Sequence, residues 1–292
     1  MGKRKSTKNS VIVILLAGVL YWGFHIFQKG MPSLLQEEDT ITASTQTNKQ
    51  TIPPTPGTPI IQGMELPRDL KNRSSRLLKH TGYTVGYNDS YSEAWWSAWI
   101  LTGQRTKGHT QRNNFDFQPD PLLPSNKAVI TQDYAGSGYD RGHLCPAGDN
   151  KWDQTAMKEC FYLTNICPQK PELNRGDWKE LEELCRDWAR SGYTLYIVAG
   201  PLFTSSSPKR IGKRHKIAVP DGFFKVIMRQ KGKQQEALGF LYKNGNQNMA
   251  VKEHATSVDE VERLTGFDFF SKLPDSVEKK IEAKTNIISW NL

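Results

Sequence analysis

Tyr139-Asp140-Arg141-Gly142-His143 sets a carboxylate, an arginine and a histidine around a glycine, in a stretch that reads as a loop leading into a strand. Further along comes Leu173-Asn174-Arg175-Gly176, just ahead of an amphipathic helix carrying Glu182 and Arg186. A neutral histidine is a good base near pH 7. An asparagine oxygen suits a hard cation, and arginines suit phosphate oxygens. Metal-assisted hydrolysis of a phosphodiester needs those parts: a base for water, charge relief on the phosphate and a stabilised leaving oxygen.

Each residue also has a plain structural reading. His143 is otherwise a packed or surface histidine, although its Asp-Arg-Gly context lifts it above that, and Arg141 is otherwise a partner for Asp140. Asn174 is otherwise a turn residue. Glu182 and Arg186, four apart on one helix side, fit a surface ion pair as well as they fit a carboxylate orienting metal-held water and an arginine reaching phosphate.

Working outward, strands are predicted over Tyr83–Tyr87 and Ala94–Leu101, joined by a polar turn. Further strands are predicted over Phe161–Asn165, Thr194–Ala199, Phe223–Met228 and Ala237–Tyr242, the last two separated by Lys231-Gly232-Lys233. A long helix is predicted from Asp177, with Asp177 and Glu180 as its capping box and Trp178, Leu181, Leu184 and Trp188 as its apolar stripe. Another opens at Ser257, with Glu260 completing a second box, and stops at Gly266. Many antiparallel-looking strands with a few helices predict an α+β domain over residues 66–292.

The N-terminus reads differently. Residues 1–10 are basic, and Val11–Phe27 (VIVILLAGVLYWGFHIF) contains His25 as its only ionisable residue. That length is close to the lower limit of about 17 residues for a transmembrane helix. Lys3, Arg4, Lys5 and Lys8 favour the cytoplasmic side, so the rest of the chain is expected to be membrane-anchored on the periplasmic or extracellular side. A cleaved signal peptide is the rival reading. No clean small-x-small cleavage site follows the apolar run, which favours a retained anchor. Residues 28–65, rich in Thr, Gln and Pro, read as a flexible tether.

Charge and cysteines add less. Of the net +9, the four basic residues at the N-terminus supply four charges and residues 11–66 a net two negative ones, leaving +7 on the domain. That suits a polyanionic partner without requiring one. Cys145, Cys160, Cys167 and Cys185 are even in number and lie outside the cytoplasm on this topology, which leaves room for one or two disulfides, with three connectivities if both form. Cys185, on the apolar side of its helix, also reads as a small buried residue, and irregular spacing argues against structural zinc.

The ordered series of blocks resembles the DNA/RNA non-specific endonucleases, which include secreted bacterial nucleases and mitochondrial endonuclease G. Tyr139–Leu144 fits the family's Asp-Arg-Gly-His signature, and Phe161–Asn165 with Pro168-Gln169 resembles the strand and turn after it. Leu173-Asn174, Trp178, Glu182 and Arg186 fall in the family's spacing, and Gly200–Phe203 and Val219–Lys225 look like its later blocks. The resemblance covers roughly Tyr83 to Phe270.

It implies a ββα-metal (His-Me finger) site on a central antiparallel sheet flanked by helices, and hydrolysis of DNA and RNA to 5′-phosphate ends. By the same resemblance His143 is the general base, Asn174 the direct ligand of Mg²⁺ (Mn²⁺ as a substitute) and Glu182 a ligand through water. Arg141 and Arg186 match phosphate contacts, and Asn165 matches an active-site asparagine that helps orient the site. The first hairpin, Tyr87–Ser92, lacks an arginine that several relatives carry there. A homodimer is left open.

Lys209, Arg210, Lys213 and Arg214 form a separate basic run that reads either as a solvated loop or as a clamp on the nucleic-acid backbone. Two other functions compete with nuclease: a catalytically inactive, membrane-anchored nucleic-acid-binding or uptake protein on the same fold, and a tethered domain binding acidic lipid or polymer. The joint presence of His143, Asn174 and Glu182 argues against the first, and the second predicts lipid or polymer binding that His143→Ala leaves unaffected.

Overall fold

Glu93–Leu101 and Gly222–Lys231 carry bulky residues on both of their alternating faces, which suits strands covered from both sides. The computed structural model, which describes residues 59–245 and 248–292, places both in the interior of a sheet. The strands along the chain are β1 (Arg68–Asp69), β2 (Arg76–Lys79), β3 (Thr84–Asn88), β4 (Glu93–Leu101), β5 (Asp140–His143), β6 (Ile166–Gln169), β7 (Thr194–Leu202), β8 (Arg210–Ile211), β9 (Ile217–Ala218), β10 (Gly222–Lys231), β11 (Gln234–Lys243), β12 (Ala255–Thr256) and β13 (Phe267–Asp268). The helices are α1 (Gln154–Glu159), α2 (Pro171–Arg175), α3 (Asp177–Arg190), α4 (Val258–Thr265) and α5 (Asp275–Glu282).

Seven strands in the order β12-β11-β10-β7-β4-β3-β2 form one sheet, antiparallel at every pairing. Because side chains alternate, each strand feeds two cores. On one face Trp99, Ile197, Phe223 and Ile227 pack with Leu144, Trp178 and Leu181. On the other, Trp96, Val198, Phe224 and Val226 pack with Val258, Val261 and Ile281. The cores thus separate α3 and the β5–β6 hairpin from α4 and α5.

The fold is α+β with a central antiparallel sheet, and several local expectations change. Phe161–Asn165, read as a strand, forms a turn with a single parallel bridge between Tyr162 and Gln118 and then a short 3-10 helix, and the ladder with β5 begins at Ile166. Five consecutive residues that can all be buried carry no period with which to place a strand boundary. The Asp177–Glu180 capping box does not form. Gly176 alone separates α2 from α3 and occupies the N-cap position, so Asp177 already lies inside the helix and faces His254 Nε2 at 3.5 Å. At α4, Ser257 does cap the Glu260 N–H at 3.2 Å, but the Glu260 carboxylate turns to Arg263 instead of back to the cap.

The expected tether and domain overlap. Ile61 N–H donates to the Tyr196 hydroxyl at 3.0 Å and Met64 is buried, so residues 61–65 pack on the domain ahead of Leu66. The transmembrane segment 11–27 lies outside the described residues. Among the described residues, no helix is long and apolar enough to cross a membrane.

Candidate active site

β5 and β6 pair in the register Asp140↔Gln169, Arg141↔Pro168, Gly142↔Cys167 and His143↔Ile166, and α2 and α3 follow directly. Two strands and a helix thereby border a cleft of about 760 Å³ lined by His143, Arg141, Asn174, Glu182 and Arg186. Five side chains spread over 46 positions of sequence reach one space.

His143 ends its strand with its carbonyl accepting from Trp178 Nε1 at 3.2 Å, which ties β5 to α3. Its ring meets Phe117 and Phe161, with centroids 5.3 and 5.1 Å away. Burial among these rings, reinforced by the positive charge of Arg112, brings the imidazole pKa down to about 3. The ring is therefore neutral at neutral pH. Its Nε2 has no hydrogen-bond partner among the described residues.

Asn174 is aimed by its neighbour. Its amide nitrogen donates to Asp140 Oδ2 at 2.9 Å. An ionised carboxylate only accepts, so this bond assigns the nitrogen and leaves the amide oxygen as the atom available in the cleft. Burial pushes the Asp140 carboxyl up, but the bonds from Arg175 and Asn174 hold it below its ordinary value, and it stays ionised. Asp140 is thus occupied by Arg175 and Asn174, and Arg141 lies instead over the Phe117 ring at 4.5 Å.

Glu182 and Arg186 do not pair with each other. Arg186 donates through Nη1 to Asp149 at 3.0 Å and through Nε to Glu183 at 3.3 Å, and its Nη2 lies 2.7 Å from Glu183 as an ion pair. Asp149 is itself held by Trp99 Nε1 at 3.0 Å. All three nitrogens of the Arg186 guanidinium thus face acidic partners, so only its remaining N–H groups are left for any other contact. Gly148 permits this packing, since a Cβ there would lie 2.7 Å from Arg186 Nη1. Left unpaired by Arg186, the Glu182 carboxyl is raised by burial to about 7 despite the pull of Lys225 and Arg186. Lys225 is fully buried beneath the cleft, its ammonium 4.1 Å from the Trp178 ring centroid.

Asn165 departs from its expected place. It is buried and does not line the cleft. Its side chain accepts from the Cys145 N–H at 3.0 Å and donates to the carbonyls of Cys145 and Cys160 at 2.9 and 3.0 Å. It is a positioning residue, clamping the chain that leaves His143.

The basic run also stays outside the cleft. The Lys213 and Arg214 backbones donate to Asp133, and the Arg210 guanidinium is tied to the carbonyls of Ser90 and Lys216. Lys209 approaches the active-site strand, its ammonium 5.3 Å from the Tyr139 ring centroid. Sequence reading missed Arg112, Lys151, Lys179 and Arg190 in the cleft wall, and Asp149 behind it. Arg112 places a guanidinium in the cleft although the first hairpin lacks an arginine. No disulfide forms: Cys145, Cys160, Cys167 and Cys185 are all free and buried in the core around the hairpin and α3.

The profile of the DNA/RNA non-specific endonucleases matches residues 67–276. This chain belongs to that family. Among curated relatives, the mitochondrial nuclease EXOG of Xenopus laevis is 34% identical, over 67% of this chain and 58% of the relative. Human mitochondrial endonuclease G is 34% identical over 67% and 69% of the two chains, and a nuclease of a Nostoc species 33% identical over 72% and 78%. A chain from the crystal structure of the EndoG/EndoGI complex superposes with a TM-score of 0.65 at 26% identity, covering 70% of this chain and 89% of that one. The endonuclease domain thus spans 58–60% of the length of the two EXOG relatives from Xenopus laevis and Danio rerio.

Proposed function

We propose that this chain is a metal-dependent endonuclease that hydrolyses phosphodiester bonds of DNA and RNA with little sequence selectivity, leaving 5′-phosphate ends. One observation carries the reading: a neutral imidazole, an oriented amide oxygen and a half-buried carboxyl converge in one cleft with basic walls. His143 takes a proton from the attacking water, whose oxygen bonds to phosphorus as the bond to the 3′ oxygen breaks. Arg141, Arg112 and the unengaged N–H groups of Arg186 hold the phosphate. Trp178 fixes the His143 carbonyl from behind, and Asn165 holds the chain two residues on, at Cys145.

The donor set fits a hydrated hard cation: one oriented amide oxygen, and one carboxyl that lacks a cationic partner in contact. Asn174 would hold Mg²⁺, or Mn²⁺ in its place, with Glu182 reaching it through water. Bound there, the ion offsets charge on the phosphate and the departing oxygen. The test uses supercoiled plasmid and a structured RNA, with Mg²⁺ or with EDTA, comparing the wild-type chain and His143→Ala. Cutting of both substrates that EDTA and His143→Ala each abolish supports the proposal. Binding without cutting supports the inactive-receptor alternative.

We propose also that Val11–Phe27 anchors the enzyme in a membrane with the domain outside the cytoplasm, on the strength of the basic residues before it and the Thr/Pro-rich segment after it. Protease added outside intact spheroplasts should then remove the domain. Protection until lysis refutes the orientation.

A further inference from the structure

On the sheet face opposite the cleft, α4 and α5 bring three carboxylates together. Asp259 and Glu262, three apart on α4, and Glu282 on α5 place one oxygen each within 4.8 Å of one another. Glu282 is only 4% exposed, and its Oε1 has no hydrogen-bond partner among the described residues. Burying a carboxylate beside two others is costly unless something positive or a proton offsets it.

Protein cations do not fill that need. The charged groups acting most strongly on Glu282 are Glu262, Glu278, Asp259 and Asp268, all acidic. Arg68 pairs with Asp268 at the edge, Lys279 acts only weakly on Glu278, and Arg263 is occupied by Glu260. Glu262 has one oxygen satisfied by the Phe269 N–H at 2.8 Å.

We propose that Asp259, Glu262 and Glu282 form a second cation site, for a hard divalent ion of the Ca²⁺ class, whose role is to fasten α5 to α4. All donors are oxygens, two come from one helix face and the third from the neighbouring helix, and the outer side is open to water that can complete six to eight ligands. Opposite faces of the sheet separate this site from the catalytic cleft.

The rival is a proton. Burial first, then the neighbouring carboxylates, raise Glu262 to about 7 and Glu282 to about 9. Folded values above the unfolded one mean that the native state binds more protons. Without cation, stability therefore rises as pH falls from about 9 toward about 4.5.

The experiment measures Tm of the full chain at pH 8 against calcium chloride, with Glu282→Gln and Asn174→Ala as parallel variants. Glu282→Gln removes a repelling charge while keeping volume, so it should fold at least as stably as the wild type without calcium. The wild type and Asn174→Ala should gain about 5–10 °C at a hundredfold excess over the dissociation constant. Glu282→Gln should gain little. An equal gain in Glu282→Gln, or stabilisation by acid with no calcium effect at pH 8, overturns the proposal. A gain lost only in Asn174→Ala assigns the calcium effect to the cleft and likewise overturns it.

Discussion

The proposed role of His143 as base requires a neutral imidazole, and burial favours that form here. Because the imidazole is already neutral above about pH 3, its own titration should not limit activity near neutrality. Glu182 should. Its carboxyl, raised to about 7, is protonated below that pH and ionised above it. We expect the Mg²⁺ concentration for half-maximal activity to fall as pH rises from 6 to 8, and to lose most of that trend in Glu182→Gln. A titration equally steep in the variant would show that another group is responsible. His143→Ala should lower hydrolysis by about 10²–10⁴ while leaving plasmid binding intact, the range expected for loss of a general base. Asn174→Ala should raise the Mg²⁺ requirement. Asp140→Ala should do so too, because it frees the amide to rotate, whereas a residue serving only the turn would leave the metal titration unchanged. That His143, Asn174 and Glu182 share one cleft was legible from the ordered series of blocks, whereas singly Asn174 read as a turn residue and Glu182 as half of a surface ion pair. Asp140 was visible, but its aiming of Asn174 was not, since the bond spans 34 positions and two elements.

At the scale of elements, the hairpin and α3 are joined by hydrogen bonds that carry no period. Alternation and the helical repeat revealed most of β3, β4, β7, β10, β11 and α3. They could not reveal that Asn165 stands between strand and helix as a clamp, or that Asp149 anchors Arg186. Such residues lie in irregular segments, where composition reports turns but not their partners. Asn165→Leu should cost about 3 kcal/mol or more, because the Cys145 N–H and two carbonyls lose their partners in the interior. Denaturant unfolding monitored by tryptophan fluorescence measures it. Gly148→Ala should cost about 1–3 kcal/mol and reduce activity, because Arg186 is held on two sides and cannot step away from the new methyl group. A neutral result at Gly148 would mean that the Arg186 anchors give way readily.

At the scale of the molecule, two groups of basic side chains lie near the active-site hairpin, the cleft wall and the loop from Lys209 to Arg214. Arg210 already serves Ser90 and Lys216, so the side chains of Lys209 and Lys213 are the better candidates for backbone contact. Lys213→Ala should weaken binding uniformly across sequences and flatten the salt dependence by about 0.9 in log–log slope on duplex DNA. An unchanged slope makes the loop a bystander. Charge totals in the sequence pointed to a polyanion, but only the folded chain separates the two basic regions. The four thiols buried around the hairpin and α3 give the chain an internal stopwatch. A thiol reagent in solution can mark them only when that core opens, so the labelling rate reads the lifetime of the active-site scaffold directly, without following cleavage at all. Reductant, by the same token, has nothing to break, and the melting temperature should be the same with or without it.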